Sequence, residues 1–128
     1  MNFPKELRYT KTHEWAKKEG RTVTVGITDY AQKEISDVVF VELPKNGQAV
    51  AAGKPAAVVE SVKAAFDIYS PVTGKVTAVS SVIEGDPGMV NQDCYGKGWF
   101  FTVEMSTESE WDALMDSAQY EKNLKTEV

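Results

Sequence analysis

The sequence contains only one cysteine, Cys94, and only one histidine, His13, in 128 residues. A single cysteine excludes a disulfide framework within the chain, and a structural zinc site, which usually needs four Cys or His ligands, is nearly excluded as well. Acid–base or nucleophilic catalysis by these residue types would rest on two side chains alone. The composition therefore disfavours an enzyme that works without a cofactor or partner enzymes.

The sequence also lacks a long apolar run and an excess of positive charge. No apolar stretch approaches the roughly 18 residues of a membrane-spanning helix, and residues 1–6 lack the apolar region of a signal peptide. With 14 basic and 19 acidic residues the formal net charge is −5, and phosphate binding requires a basic face instead. We therefore expect neither nucleic-acid nor membrane partners. Acidic residues prevail in 28–110, where twelve of them accompany six lysines.

No motif in the sequence predicts a catalytic residue or a metal site. His13 lies beside Glu14 without a further triad member, which favours a hydrogen-bonded, partly buried histidine over a general base. The acidic neighbour Asp93 disfavours the thiolate form of Cys94, so we expect a free and unreactive thiol. Phosphate-binding glycine loops and calcium-loop spacing are both missing from the sequence. We expect no catalytic residue and no metal ligand.

The apolar pattern predicts many short strands. Val23, Val25 and Ile27 alternate with polar residues, as on a half-buried strand. Further strands are predicted at 37–43, 56–62, 66–69, 75–79 and 99–105. Turn residues separate many of them, a pattern typical of a small β sandwich or barrel. Because the chain is shorter than the ~150 residues of a rough one-domain prior, we expect a single domain over residues 1–128.

Two helices interrupt this pattern. Asp29 followed by Gln32 resembles an N-cap with its reciprocal partner, which predicts a short helix at 29–35. Thr107 and Glu110 have the spacing of a capping box. The residues after it share one helical face and predict a C-terminal helix near 107–124 that packs over the β core, through Trp111, Leu114, Met115 and Ala118.

Lys63 is the side chain whose surroundings single it out. It stands with Ala64 and Ala65 between two apolar segments, which predicts the tip of a β-hairpin. A tip presents its side chain to solvent, and small neighbours let a second protein approach closely. A Schiff-base lysine would need burial, so the pattern favours a displayed lysine. A plain solvated turn lysine is the alternative that periodicity leaves open.

Several blocks of the sequence share features with one family. They are Tyr9–Trp15, Val25–Gln32, Asp37–Pro44, Ala57–Ala64, Ile68–Pro71 with Gly74, Val90–Asn91, Tyr95–Gly96 and Gly98–Trp99. Each block is weak alone, but the ordered set is highly specific. Over roughly residues 7 to 120 the chain resembles the H proteins of the glycine cleavage system, with Lys63 in the lipoyl-attachment motif.

The resemblance implies a fold and a function. The fold would be a mainly β barrel-sandwich hybrid like that of lipoyl and biotinyl carriers, with a C-terminal helix. Lipoate would be joined by an amide to Lys63 as the swinging arm of a non-catalytic carrier in glycine catabolism and one-carbon metabolism. The arm would carry an aminomethyl group from a pyridoxal-phosphate glycine decarboxylase to a tetrahydrofolate-dependent aminomethyltransferase. A dihydrolipoamide dehydrogenase with FAD would reoxidise it.

The resemblance also implies roles for three carboxylates. Glu60 would help the lipoyl-attaching enzyme to recognise the hairpin. Glu14 and Asp67 match family residues near the amine of the loaded arm, which folds back against the body of the protein. Carboxylates suit a charged amine through charge-assisted hydrogen bonds. The alternative interpretation is that both are ordinary surface acids.

Four positions depart from the resembling family. Phe66 stands where the family more often has a small polar residue, and this leaves the affinity for partners most open. Ser36 replaces a frequent glycine, Met89 a frequent leucine, and Cys94 a frequent proline. The proline would have restrained φ in that loop. None of the four removes the lysine motif.

Four other functions use a similar lysine or a similar fold. A biotinyl carrier usually has methionine on both sides of its lysine, where this chain has Val62 and Ala64. The lipoyl domain of a 2-oxo-acid dehydrogenase usually has aspartate before the lysine and continues into a linker. A lipoyl donor in a relay to other lipoylated enzymes, or an unmodified interaction module, remains open. We expect a monomer in the bacterial cytoplasm, or in the mitochondrial matrix if this is a trimmed mature chain.

Overall fold

The computed structural model describes residues 1–126, and over that range the chain is mainly β with several short helices. The strands are β1 (Arg8–Tyr9), β2 (Glu14–Glu19), β3 (Thr22–Ile27), β4 (Val38–Glu42), β5 (Ala49–Val50), β6 (Pro55–Ser61), β7 (Ala65–Tyr69), β8 (Gly74–Val79) and β9 (Phe101–Met105). The helices are α1 (Asp29–Ile35), α2 (Ser81–Gly85), α3 (Met89–Gln92), α4 (Ser109–Asp112) and α5 (Ser117–Thr126).

The strands of residues 1–126 form two antiparallel sheets. The larger sheet has the order β1-β2-β3-β9-β8-β5, and the smaller one has the order β4-β6-β7. β3 pairs on one side with β2 and on the other with β9, so that Val25 lies opposite both Ala16 and Phe101. The mainly β fold with two packed sheets is confirmed, and it agrees with the barrel-sandwich architecture that the resemblance implied.

One hydrophobic core lies between the two sheets. The alternation predicted for β3 is confirmed, since Val23, Val25 and Ile27 are all buried. They belong to one apolar cluster with residues of the smaller sheet, among them Val59 of β6 and Ile68 of β7. Burying a side chain of this size contributes about 1.5–3 kcal/mol, so the joint core is what holds the sheets face to face.

The helix predicted at 29–35 is confirmed, but its N-cap lies one residue earlier than expected. The Thr28 hydroxyl accepts the Ala31 backbone N–H at 3.2 Å. Asp29 is the first helical residue, and its carboxylate accepts a hydrogen bond from the Gln32 side chain at 2.8 Å. The predicted contact between Asp29 and Gln32 is therefore confirmed, and the predicted N-cap role of Asp29 is wrong. Thr28 has extended backbone geometry, which is the conformation that an N-cap residue requires.

The predicted C-terminal helix is confirmed in two pieces rather than one. A short α4 ends at Asp112, and α5 begins only at Ser117. Between them, Met115 exchanges two backbone hydrogen bonds with Tyr9, of 2.8 and 3.0 Å, and this bridge interrupts the helix. The expected capping box is wrong, because the Glu110 carboxylate binds the Thr73 N–H and hydroxyl instead.

The break also divides the predicted apolar stripe. Trp111 and Leu114 pack against the main core, whereas Met115 packs against a second cluster and Ala118 is exposed. This second cluster consists of Leu7, Tyr9, Trp15 and Tyr120, with the Tyr9 and Tyr120 rings stacked 4.8 Å apart. It fixes α5 to the outer strands of the larger sheet.

Candidate functional site

Lys63 lies at the tip of the β6–β7 hairpin, as predicted. The ladder below the tip pairs Val59 with Phe66 and Glu60 with Ala65. Ser61 holds the turn together. Its backbone N–H donates to the Ala64 carbonyl at 2.9 Å, and its hydroxyl oxygen accepts the Lys63 N–H at 3.1 Å. These short-range bonds fix the backbone at the tip and leave the lysine side chain outside the turn.

The tip is open to solvent. Lys63, Ala64 and Ala65 are exposed, and Val62 keeps 66% of its surface. One further backbone bond, from the Val62 N–H to the Asp37 carbonyl at 3.0 Å, ties the tip to the start of β4. The Lys63 side chain is thus presented with small neighbours and on a fixed backbone.

The Lys63 ammonium does not point freely into water. Its Nζ donates to the backbone carbonyl of Glu34 at 2.9 Å. Glu34 lies in the last turn of α1, where the carbonyl groups of a helix lack helical partners and carry partial negative charge. The Lys63 Nζ is therefore held against the C-terminal end of α1.

A cleft of about 260 Å³ begins at this point, and Glu34 is one of the residues that line it. Its apolar lining consists of Ile27, Ala31, Ile35, Val59, Phe66 and Ile68. Its polar and aromatic lining consists of Thr12, His13, Tyr30, Glu34 and Asp67. The cleft runs between α1 and the lysine hairpin, so a group attached to Lys63 starts at its edge.

The α1 side of the cleft is fixed by Asn91, a residue that the resemblance had marked without a role. The Asn91 carboxamide donates to the Ser36 carbonyl at 2.9 Å and accepts the Val38 N–H at 2.9 Å. It also donates to the Gln32 side chain at 3.2 Å. One side chain from α3 thus joins the end of α1 to the start of β4.

Ser36, the C-cap of α1, has φ 68° and ψ −156°. This conformation belongs to a region that glycine occupies almost alone, and it costs other residues about 1–3 kcal/mol. Glycine, which lacks a Cβ, would adopt this conformation without the strain. In this chain the Asn91 contacts hold the corner in place despite the strain.

Glu14 is buried rather than displayed, with 1% of its surface exposed. Its carboxylate accepts hydrogen bonds from the hydroxyls of Thr10 and Thr12 and from the Tyr69 N–H. Burial raises the pKa of Glu14, and these hydrogen bonds oppose that rise. Glu14 lines a neighbouring cleft of about 220 Å³, and Thr12 lines both clefts.

Asp67 and Glu60 are exposed on the hairpin. Asp67 lines the cleft that begins at Lys63, so the structure places it in a different cleft from Glu14. Glu60 lies opposite Ala65 near the tip.

The single histidine and the single cysteine are both at least partly buried. His13 is half-buried, and its Nδ1 lies 2.8 Å from the Tyr120 hydroxyl. Cys94 is buried, and burial, with smaller contributions from Asp29 and Asp93, raises the pKa of its thiol to about 12. In the described part of the chain no group of three or more His, Cys, Asp or Glu side chains could hold a metal ion. Nor is any helix there long and apolar enough to cross a membrane.

Comparison with known proteins assigns this arrangement to a family. The family model described as Glycine cleavage H-protein matches residues 7–127. The chain belongs to the glycine cleavage H-protein family. H proteins are the lipoate carriers of the glycine cleavage system, and membership supports a lipoyl carrier role for this chain.

Individual relatives support the same membership. The chain is 56% identical over 119 residues to the glycine cleavage system H protein of Beijerinckia indica, covering 93% of this chain and 96% of the relative. It is 51% identical to an H protein of Thermus thermophilus over 128 residues, the full length of both. A crystal structure of an H protein from Mycobacterium marinum superposes with a TM-score of 0.84 at 33% identity, over 92% of this chain and 95% of the other.

The sequence led to Lys63 and to the acids beside it, but it did not reveal the cleft. Thr12 and Tyr30 lie inside matched blocks, and that position was their only signal. Glu34 contributes a backbone carbonyl, which no side-chain pattern could indicate.

Proposed function

We propose that this protein is the non-catalytic lipoyl carrier of a glycine cleavage system, with lipoate in amide linkage to Lys63. The observation that supports it most is the position of Lys63, exposed on a fixed hairpin tip with its Nζ at the edge of an apolar cleft. Such a lysine is accessible to several enzymes in turn. The cleft beside it offers the attached arm a resting place on the same protein.

The residues around Lys63 fit an amide-linked arm. Acylation removes the charge of Nζ but leaves one N–H, and a single N–H is enough to donate to the Glu34 carbonyl. The apolar lining of the cleft suits a hydrocarbon chain, whose burial contributes about 0.8 kcal/mol per methylene. The small side chains of Ala64 and Ala65 leave space for the active-site mouth of an enzyme.

When bound, lipoate supplies a disulfide that accepts a one-carbon unit with its amine and is regenerated by oxidation. The contribution of the chain is to tether that disulfide, because a tether converts separate encounters with each partner into events at high effective concentration. The partners we propose are glycine decarboxylase, aminomethyltransferase and dihydrolipoamide dehydrogenase, together with the enzyme that attaches lipoate.

We assign Asp67 and Glu14 to the protection of the loaded arm. Asp67 lines the cleft and can accept a charge-assisted hydrogen bond from the amine. Glu14 acts from behind Thr12, whose hydroxyl donates to its carboxylate while Thr12 itself lines the cleft. Asp67 would hold the amine directly, Glu14 would act through Thr12, and the apolar lining would exclude water.

Glu60 is assigned to recognition by the lipoyl-attaching enzyme. It is exposed and lies three residues before Lys63 on β6, next to the tip. Because acylation leaves 13 basic and 19 acidic residues, the carrier would have a formal net charge of −6. An acidic carrier favours partners with basic docking faces. The bacterial relatives support a location in the bacterial cytoplasm.

Intact-mass measurement after incubation with a lipoyl ligase, ATP and lipoate tests the attachment. The mass should rise by one lipoyl group, and Lys63→Arg should abolish the rise. Lys54→Arg, on another exposed lysine, is the matched control and should be modified fully. An unchanged mass in the wild-type protein, or a rise that survives in Lys63→Arg, would overturn the proposal.

A further inference from the structure

Phe66 differs from its neighbours on the hairpin in the direction of its side chain. It pairs across the sheet with Val59, which is fully buried, and precedes Ile68, which is 4% exposed, by two residues. Residues two apart on a strand share a face, so Phe66 lies on the inner face of the sheet. It packs against the main core and keeps part of its surface exposed.

That remaining surface belongs to the cleft. Phe66 lines the cleft together with Ile35 of α1, whose neighbour Glu34 holds the Lys63 Nζ. Aromatic rings also line the cleft from the opposite element, where Tyr30 of α1 lies 4.8 Å from the His13 ring. An arm that leaves Lys63 therefore enters a space with an aromatic side chain on the hairpin and another on the helix.

We infer that Phe66 makes this cleft a docking site for the unloaded arm in its oxidised and uncharged state. This inference rests on the proposed attachment of lipoate to Lys63. An arm held only by the contact between an amine and Asp67 would dock after loading and not before. An apolar ring changes that balance, because it contacts methylenes by hydrophobic burial and sulfur by favourable sulfur–aromatic contact, neither of which needs a charge.

The consequence concerns how often the arm is free to reach a partner enzyme. Docking of the empty arm competes with its entry into partner active sites, so Phe66 sets the fraction of time the disulfide is available. A small polar side chain at this position would leave the cleft wider and wetter. Such a replacement would not change the affinity of the carrier's outer surface for its partner enzymes, because Phe66 faces inward and not toward a partner.

The methyl groups of isoleucine report docking directly. Ile27, Ile35 and Ile68 line the cleft, and their ¹³C–¹H methyl signals can be compared before and after lipoylation. Each variant is compared with its own form without lipoate, so the loss of the ring in the variant does not distort the comparison. The proteins are wild type, Phe66→Ser and Phe66→Leu, with Val62→Ser on the exposed side of the hairpin as control.

We expect lipoylation to shift the cleft methyls in wild type and in Val62→Ser. Phe66→Ser should lose most of that shift, and Phe66→Leu, which conserves apolar bulk without the ring, should retain an intermediate one. If Phe66→Ser fails to fold, Phe66→Leu decides, since a full wild-type shift in it overturns the role of the ring. A lipoylated wild type with unshifted cleft methyls also overturns the inference.

Mass separates this inference from the proposed function. The methyl spectra are recorded on protein whose intact mass shows one added lipoyl group. A protein whose mass never rises overturns the carrier proposal and this inference together. A lipoylated protein that lacks the methyl shifts overturns the inference alone and leaves the carrier proposal standing.

Discussion

The hairpin tip that carries Lys63 and the cleft wall that faces it are held by contacts of different range. The tip depends on bonds between neighbours, chiefly those of Ser61 to Lys63 and Ala64. The opposite wall depends on contacts between distant segments. Asn91 binds Ser36 and Val38 across more than fifty positions, and His13 meets Tyr120 across 107.

This difference fits the two tasks that we propose for the regions. A displayed lysine must be recognised by several enzymes, and a short motif with small side chains is sufficient for that recognition. A cleft that receives the arm must keep its shape when the arm leaves, and long-range hydrogen bonds keep it fixed. Substitutions in the wall should therefore reduce stability strongly, while substitutions at the tip should leave it nearly unchanged.

Replacement of Asn91 tests the wall most severely. Asn91→Ala removes hydrogen bonds to Ser36, Val38 and Gln32, each worth about 0.5–1.5 kcal/mol, so the free energy of unfolding should fall by about 2–3 kcal/mol. Urea denaturation measures it. Gln92→Ala, at the exposed next position, should change it by less than about 0.5 kcal/mol. Equal losses in the two variants would show that the wall does not depend on this clamp.

Glu14, which lies behind Thr12 in the neighbouring cleft, gives the stability of the protein a dependence on pH. Because burial raises the pKa of Glu14 in the fold, the folded state binds this proton more tightly than the unfolded state. The resulting stability is complete below the unfolded pKa of about 4.3 and is lost as the pH rises through the folded value. The unfolding free energy of wild type relative to Glu14→Gln should therefore decline as the pH rises from about 4 to 7.

Urea denaturation at a series of pH values measures this decline. The matched control is Glu84→Gln, at an exposed position of α2. Wild type relative to that variant should show a smaller change over the same range. A difference from Glu14→Gln that increases with pH would mean that the hydrogen bonds from Thr10, Thr12 and Tyr69 outweigh the cost of burial.

The stability of the protein can be raised by a substitution at Ser36, the C-cap of α1. Ser36→Gly removes a strain of about 1–3 kcal/mol and adds the entropic cost of glycine, about 0.5–1 kcal/mol, so the unfolding free energy should rise by about 1 kcal/mol. Thermal and urea unfolding measure the gain. Ser36→Ala keeps the Cβ and should show no gain. A loss of stability in Ser36→Gly would contradict the strained backbone at this corner.

The tip should show the smallest effect of all. Val62 is 66% exposed, so Val62→Ser should change the unfolding free energy by less than about 0.5 kcal/mol. The same denaturation measurement applies. A loss above about 1 kcal/mol would mean that the tip is coupled to the core, and the contrast between the two regions would then fail.

The same contrast explains how far the sequence could predict the molecule. β3, α1 and the lysine hairpin follow from local periodicity and turn residues, and these predictions are confirmed. The alternation of apolar and polar residues does not predict β2, because this strand begins with a buried glutamate, Glu14. Its hydrogen-bond partners Thr10, Thr12 and Tyr69 cannot be inferred from that alternation. The long C-terminal helix was predicted whole because the bridge between Met115 and Tyr9 is a backbone contact over more than a hundred residues.

The candidate site divides in the same way. Lys63 and the exposed acids beside it were found from the motif, since they lie within seven residues of each other on one hairpin. The cleft combines residues of α1 and the hairpin with Thr12, and its closest link to Lys63 is the Glu34 carbonyl. Backbone atoms and packing faces have no residue-type pattern, so only the folded structure reveals them.

The exchange of labelled bicarbonate into the carboxyl group of glycine, catalysed by glycine decarboxylase, tests the central claim most directly. We predict that label enters glycine with the lipoylated wild-type protein and that Lys63→Arg reduces the exchange to background. The absence of exchange with a protein whose mass shows complete lipoylation, or undiminished exchange with Lys63→Arg, would contradict the assignment of Lys63 as the carrier site for glycine cleavage.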